Sequence, residues 1–348
     1  MKIAFILDHN LMHYRIPFFN LLQVKGFEIT VMHTGKNIDN TKFKQLNLKK
    51  INLGPFFYRK TPRLGAYDIV VYMQNIRYID FILSCLNIFK KYKLVHWGIG
   101  VSSSNGLTVE RDLIAKFRSC LENYADGIVY YSGFPVQFVK GKNKRKVFIA
   151  NNTIENPLKI DCSQFNKDSF LFIGSLDNRK GLDVLVEGFR EYIQSQSSPI
   201  IKKLFIIGDG TERDNIKKNI EKYQLEDSII LPGKIMTFEA KLPYFQRSIM
   251  TISPKQAGLS VLESFSFGVP FMTYKNAISG GEHLNIIHQE NGVMLNNVSA
   301  LEISNKLKDI NASIESFRQL GHNAFHFYNN ERSMEKMVQS FVDCFKQL

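Results

Sequence analysis

Ser253-Pro254-Lys255-Gln256-Ala257-Gly258-Leu259-Ser260-Val261-Leu262-Glu263-Ser264-Phe265-Ser266-Phe267-Gly268-Val269-Pro270-Phe271-Met272-Thr273 is the stretch that decides the fold. The apolar run Ile249 to Ile252 just before it predicts a short strand. Pro254 cannot extend a ladder, so a loop begins there. Gly258 lets the backbone come close to a neighbour. Leu259, Leu262 and Phe265 then recur at helical spacing, with Val261 beside them. Gly268 stops that helix and Pro270 lies just beyond. Phe271 to Tyr274 reads as the next strand. The unit is strand, glycine loop, helix N-terminus, short helix, strand. Bare N–H groups at such a helix start favour an anion. Glu263, about one turn in, is placed to reach past a bound phosphate. Most strand-glycine-helix units in α/β proteins bind nothing, so this one alone leaves function open.

The same organisation repeats upstream. Phe170 to Ile173 is a strand, followed by Gly174, the charged loop Asp177-Asn178-Arg179-Lys180-Gly181 and a helix from Leu182 to Tyr192. Leu204 to Ile207 runs into Gly208-Asp209-Gly210, and Ile229 to Leu231 into Pro232-Gly233-Lys234-Ile235. Gly280-Gly281-Glu282 follows the 253–273 stretch. Each piece is common by itself; their order and spacing over roughly 165–295 are specific.

In that order the pieces resemble the family-4 retaining glycosyltransferases, which have the GT-B fold. The expected fold class is therefore α/β, with two Rossmann-like domains facing a central cleft. The family signature carries two Glu residues eight positions apart around a Gly-Leu segment. Glu263 matches the second, Gly258-Leu259 matches the middle, and Lys255 stands where the first Glu is expected. The resemblance implies that Glu263 holds the ribose of a nucleotide-sugar donor. It implies that Lys180 contacts the donor diphosphate, with Arg179 supplying a second charge because Ser175 replaces the usual Arg after Gly174. Gly174, Gly208, Ile235, Lys255, Gly258 and Leu259 complete the expected donor-binding set. Two cations against a departing nucleoside diphosphate suit that leaving group. A cation at 255 cannot accept hydrogen bonds from sugar hydroxyls. It implies an acidic donor sugar, sugar contacts from elsewhere, or loss of activity.

Net charge is +13, unevenly placed. Residues 1–150 hold 23 Lys and Arg against 9 Asp and Glu; residues 151–348 hold 22 against 23. So sharp a split points to two domains with different partners, the basic one drawn to an anionic surface. The four cysteines, Cys85, Cys120, Cys162 and Cys344, have no ligand-like spacing and suit a reducing compartment. The apolar run after Lys2 ends at Asp8, too short for a signal peptide, and Phe81 to Phe89 is too short to span a bilayer. The expected location is the cytoplasm or the inner face of the plasma membrane.

In the first half, Lys2 to Leu7, Glu28 to Met32, Asp68 to Tyr72, Leu94 to Gly98, Asp126 to Tyr131 and Val147 to Ala150 read as strands. With the helix around Phe18 to Leu22 they begin a parallel sheet. His9, His13, Tyr14 and Arg15 lie in the first loop, which resembles the acceptor-side loop of the family. Residues 36–63 interleave Lys and Arg with Phe43, Phe56, Phe57 and Tyr58, a composition suited to a membrane interface. No nucleic-acid motif accompanies it. Apolar helices are expected from Ile79 to Phe89 and from Val109 to Tyr124, and a charged mobile stretch from Gly141 to Lys146. In relatives a His on the Trp-Gly edge faces the donor sugar. Here Ile99 takes that place and His96 comes three residues earlier, either as a third catalytic group beside Lys180 and Glu263 or as a core residue.

The expected boundaries are an acceptor-side domain at 1–150, a linker at 151–165, a donor domain at 166–330, and a helix in 331–348 crossing back to the first domain. By resemblance the chain is a hexosyltransferase acting with retention on a UDP- or GDP-sugar. The acceptor is a glycan or a lipid-linked oligosaccharide of bacterial O-antigen, capsule or exopolysaccharide synthesis. No cofactor is expected, no metal (no Asp-x-Asp pair is placed to hold one) and no nucleic-acid partner. The rival from another class is a catalytically inert GT-B protein that binds a partner or a glycan. A nucleotide-sugar epimerase would want more acidic and histidine groups than the sequence offers.

Overall fold

The structure is a computed structural model and describes residues 1–101, 113–162 and 165–348. It divides into two compact units. The first comprises the described residues up to Glu155 together with Ser333–Leu348; the second is Asn156–Arg332.

In the first unit the chain runs β1 (Lys2–Ile6), α1 (Ile16–Val24), β2 (Glu28–His33), β3 (Lys44–Asn47), β4 (Lys50–Leu53), β5 (Phe56–Arg59) and β6 (Ile69–Met73). It continues through α2 (Ile79–Leu86), β7 (Lys93–Gly98), α3 (Leu113–Glu122), β8 (Gly127–Tyr130) and β9 (Val147–Ile149). Seven strands form one sheet in the order β3-β2-β1-β6-β7-β8-β9, all parallel. Strands such as Ile69-Val70-Val71-Tyr72-Met73 are buried along their whole length, as a parallel sheet covered on both faces requires.

Three features of this unit were not anticipated from the sequence. The basic, aromatic stretch at 36–63 contains β3 and the antiparallel hairpin β4–β5. Their largely exposed residues lack the apolar pattern that marks a buried strand. The helix expected to Phe89 ends at Leu86, because Asn87 turns extended and its Oδ1 accepts from Phe89 N–H. The stretch expected to be mobile, Gly141–Lys146, is an ordered 3-10 segment whose Asn143 Nδ2 donates to Asn123 Oδ1. Most of the loop expected at 100–106, and the start of the helix expected from Val109, lie outside the described residues.

The second unit holds β10 (Ser169–Ile173), α4 (Leu182–Gln194), β11 (Lys203–Ile207), α5 (Arg213–Lys222), β12 (Ile229–Gly233) and α6 (Phe238–Arg247). Then come β13 (Ser248–Ile252), α7 (Ser260–Ser266), β14 (Phe271–Tyr274), β15 (Gly292–Leu295), α8 (Ala300–Ala312) and α9 (Ile314–Glu331). Its six parallel strands are ordered β12-β11-β10-β13-β14-β15. Strand order reverses between β10 and β13. In such sheets ligands sit at the carboxyl ends of the strands near the reversal.

The stretch expected as a linker divides at Glu155. Asn156 already anchors to the second unit, donating from Nδ2 to Ser266 Oγ at 3.0 Å, and Leu158 and Ile160 pack on its core. The last helix, α10 (Met334–Gln347), belongs to the first unit. Its Phe341 meets Phe18 at 4.9 Å and Trp97 at 5.2 Å in edge-on contacts, and Phe345 meets Phe27 at 5.5 Å. Aromatic pairs at these spacings add stability beyond the area they bury. No helix among the described residues is long and apolar enough to cross a membrane.

Candidate functional site

Four loops leave the carboxyl ends of β10, β11, β12 and β13, and all four line one cavity of about 600 Å³ in the second unit. It gathers seven residues named from the sequence: Gly174, Lys180, Gly208, Ile235, Gly258, Leu259 and Glu263. Local chemistry explains the shape. A Cβ on Gly208, at φ +154°, would lie 1.8 Å from the carbonyl oxygen of Gly174, so only glycine lets these two turns touch. Gly181 takes φ +73° ahead of α4, and a Cβ there would meet the Lys255 stem at 2.9 Å.

Lys180 and Lys234 line the cavity without an ion pair among the described residues, and Lys180 is the more enclosed of the two. Burial pushes its ammonium below the ordinary lysine range, with Asp177 and Glu282 pulling the other way. Its side chain has no hydrogen-bond partner among the described residues, so three N–H donors remain for a ligand. The backbone N–H groups of Gly258 and Leu259 likewise donate to nothing among the described residues. Gly258 carries no steric load, since a Cβ there would meet no protein atom within 4 Å.

Glu263 lies in α7, 6% exposed, with Lys241 Nζ 2.5 Å from its Oε1. Lys241 comes from the first turn of α6 and was missed by sequence reading. A signal existed: a lysine at a helix N-terminus opposes the helix dipole, so a local carboxylate partner is to be expected. The pair leaves Glu263 Oε2 without a donor among the described residues, free to accept from a ligand hydroxyl.

Three predicted site residues fall elsewhere. Arg179 forks onto Asp177, with Nε 3.2 Å from Oδ1 and Nη2 3.0 Å from Oδ2, and does not line the cavity. Asp177, also accepting from Ser175 Oγ, is held below the usual carboxylate range chiefly by Arg179. Lys255 also stays off the cavity wall; its ammonium lies 3.7 Å from Asp183 Oδ1 at the start of α4. His96 is a core residue of the first unit. It is 0% exposed, edge-on to Phe81 at 4.9 Å, with Nε2 3.4 Å from Cys85 Sγ. Burial pushes its imidazole down to about 3, so it stays neutral at physiological pH.

Residues 163–327 match the family of glycosyl transferases group 1. The chain carries a group 1 glycosyltransferase domain. Its fold is GT-B: the crystal structure of Anabaena Alr3699/HepE in complex with UDP aligns over 100% of both chains with a TM-score of 0.72 at 13% identity. The chain is 24% identical over 204 residues to an uncharacterized glycosyltransferase of Haemophilus influenzae, covering 58% of this chain and 55% of that protein. It is 27% identical over 155 residues to the poly(glycerol-phosphate) alpha-glucosyltransferase of Bacillus subtilis, covering 41% of this chain and 22% of that protein. The matches thus span about half or less of these relatives' own lengths. The cavity and its glycine turns lie inside the group 1 glycosyltransferase domain.

Proposed function

We propose that this protein is a metal-independent, retaining glycosyltransferase using a UDP- or GDP-sugar. The observation that carries the reading is the convergence of Gly174, Lys180, Gly208, Ile235, Gly258, Leu259 and Glu263 on one cavity at the carboxyl ends of a parallel sheet. Glu263 Oε2 accepts from the ribose hydroxyls. The Lys180 ammonium and the N–H groups of Gly258 and Leu259 hold the diphosphate, and Lys180 neutralises charge as it departs. The bond between the anomeric carbon and the phosphate oxygen breaks, and the acceptor oxygen bonds to that carbon. The acceptor's proton passes to the departing phosphate oxygen. The UDP held by the Anabaena neighbour supports a uridine donor.

The first unit takes the acceptor side, with Lys and Arg in large excess over Asp and Glu in residues 1–150. That charge suits a phosphate-bearing acceptor, and the Bacillus subtilis relative acts by name on poly(glycerol-phosphate). We assign the acceptor to bacterial surface polysaccharide synthesis, as a glycan or polyprenyl-pyrophosphate-linked chain at the inner face of the membrane.

Thermal stabilisation by UDP, GDP, ADP and CMP, alone and sugar-linked, tests the donor site. One nucleotide should raise the melting temperature, more so with its sugar, and Glu263→Ala should abolish the shift. No shift with any of them would favour the second reading, an inert GT-B binding protein. The specific observation behind that second reading is Lys255, which stands where the resembled family signature expects a Glu and lies 3.7 Å from Asp183 Oδ1.

A further inference from the structure

In a parallel sheet, the loops entering neighbouring strands share one edge. The loops entering β7, β8 and β9 are such a set, and hydrogen bonds tie them together. Lys90 Nζ donates to Tyr124 O at 3.1 Å, Lys146 Nζ to Ala125 O at 2.7 Å, and Asn143 Nδ2 to Asn123 Oδ1 at 2.9 Å. The first loop carries the two most exposed large apolar residues of the described chain, Phe89 at 85% and Ile88 at 80%, with Leu83 and Leu86 of α2 also exposed. Phe117 and Tyr124 of the neighbouring helix region are exposed as well. The third loop presents Lys140, Lys142 and Lys144 to solvent. Nearby acids do not offset them. Asp126 faces Lys93 and accepts from Leu94 N–H, while buried Glu122 accepts from Gln74 and Tyr130.

We infer that this amino-terminal edge of the first unit's sheet docks on an anionic phospholipid surface, Ile88 and Phe89 inserting and the lysines meeting headgroups. Charge complementarity selects the occupant. An apolar tip alone or a basic cluster alone holds a bilayer weakly; the two together give stable attachment. Exposed Ile88, Leu83 and Leu86 offer no face for base stacking, so a bilayer uses side chains that a nucleic-acid contact would leave idle. The inference does not depend on the proposed transfer reaction, since the surface lies at the strand ends opposite those that build active sites.

The test is sedimentation of the full chain with vesicles of phosphatidylglycerol and phosphatidylcholine, with pure phosphatidylcholine, and with single-stranded RNA. Binding should require phosphatidylglycerol and weaken with salt. A variant with Ile88→Ser and Phe89→Ser should partition about tenfold or more weakly. A variant with Lys140→Gln, Lys142→Gln and Lys144→Gln should lose roughly fivefold per charge. Both variants change exposed side chains, so their melting temperatures should match the parent, and UDP-induced stabilisation provides an independent check of the second unit. Absence of vesicle binding, binding unchanged in both variants, or preference for RNA over vesicles would each overturn the assignment.

Discussion

Lys241 Nζ lies 2.5 Å from Glu263 Oε1, and each side chain is about nine-tenths buried in the cavity wall. Breaking a pair this enclosed leaves a buried charge without compensation, at a cost of about 3–5 kcal/mol. Lys241→Met should therefore lower stability by about that amount and weaken nucleotide binding by freeing the Glu263 carboxylate from its fixed orientation. Lys241→Arg should recover most of both. Chemical denaturation and calorimetric titration with UDP measure the two effects. Full UDP affinity in Lys241→Met would show that Lys241 does not position Glu263.

Lys180 carries a pH prediction. Burial holds its ammonium below the ordinary lysine value of about 10.4. In the proposed role the protonated form holds the diphosphate, so affinity should be greatest below the depressed value and fall as pH rises through it. Lys180→Arg should flatten that alkaline decline, because guanidinium stays charged. Titrations of UDP affinity from neutral to alkaline pH decide it; an equal decline in both proteins would assign the titration elsewhere.

Two glycines should behave oppositely. Gly208→Ala forces a Cβ onto the Gly174 carbonyl and should destabilise the second unit by several kcal/mol, of order 3. Gly258→Ala meets no protein atom within 4 Å and should leave the melting temperature unchanged while its methyl group intrudes on the ligand space. Melting curves with and without UDP separate the two. A Gly258→Ala protein with unaltered UDP stabilisation would remove Gly258 from the binding wall.

Lys167 is buried away from the cavity, its Nζ donating to Phe245 O at 3.1 Å, and burial lowers its ammonium to about 7. In the unfolded chain it titrates near 10.4. Between those values the unfolded state binds the extra proton, so stability should rise with pH by up to about 1.4 kcal/mol per unit. Lys167→Met should remove that slope and be more stable than the parent at neutral pH. Denaturant unfolding at pH 7, 8 and 9 is the measurement; a flat profile in the parent would mean Lys167 stays charged when folded.

Much of the donor-side wall was legible because it depends on local rules. Glycine marks each strand exit, helical spacing marks α7, and seven of the residues so named meet in one cavity. The hairpin β4–β5 was not legible, because strands with exposed side chains carry no alternating apolar code. Nor was the turn that frees Ile88 and Phe89 from α2, which follows from one Asn87 hydrogen bond overriding apolar continuity.

The sequence by itself determined the alternation of strands and helices, the glycine turns of the second unit, and which half of the chain carries the positive charge. Those follow from backbone preference and from counting. The tertiary structure alone decided which charges are free to act. Arg179 faces Asp177, Lys255 faces Asp183 and Lys241 faces Glu263, while Lys180 and Lys234 have no ion pair among the described residues. It also turned His96 inward against Phe81 and Cys85. The reason is physical: except for Arg179 and its near neighbour, an ion pair or a buried ring is set by what the fold brings within a few ångströms, and those partners are distant along the chain.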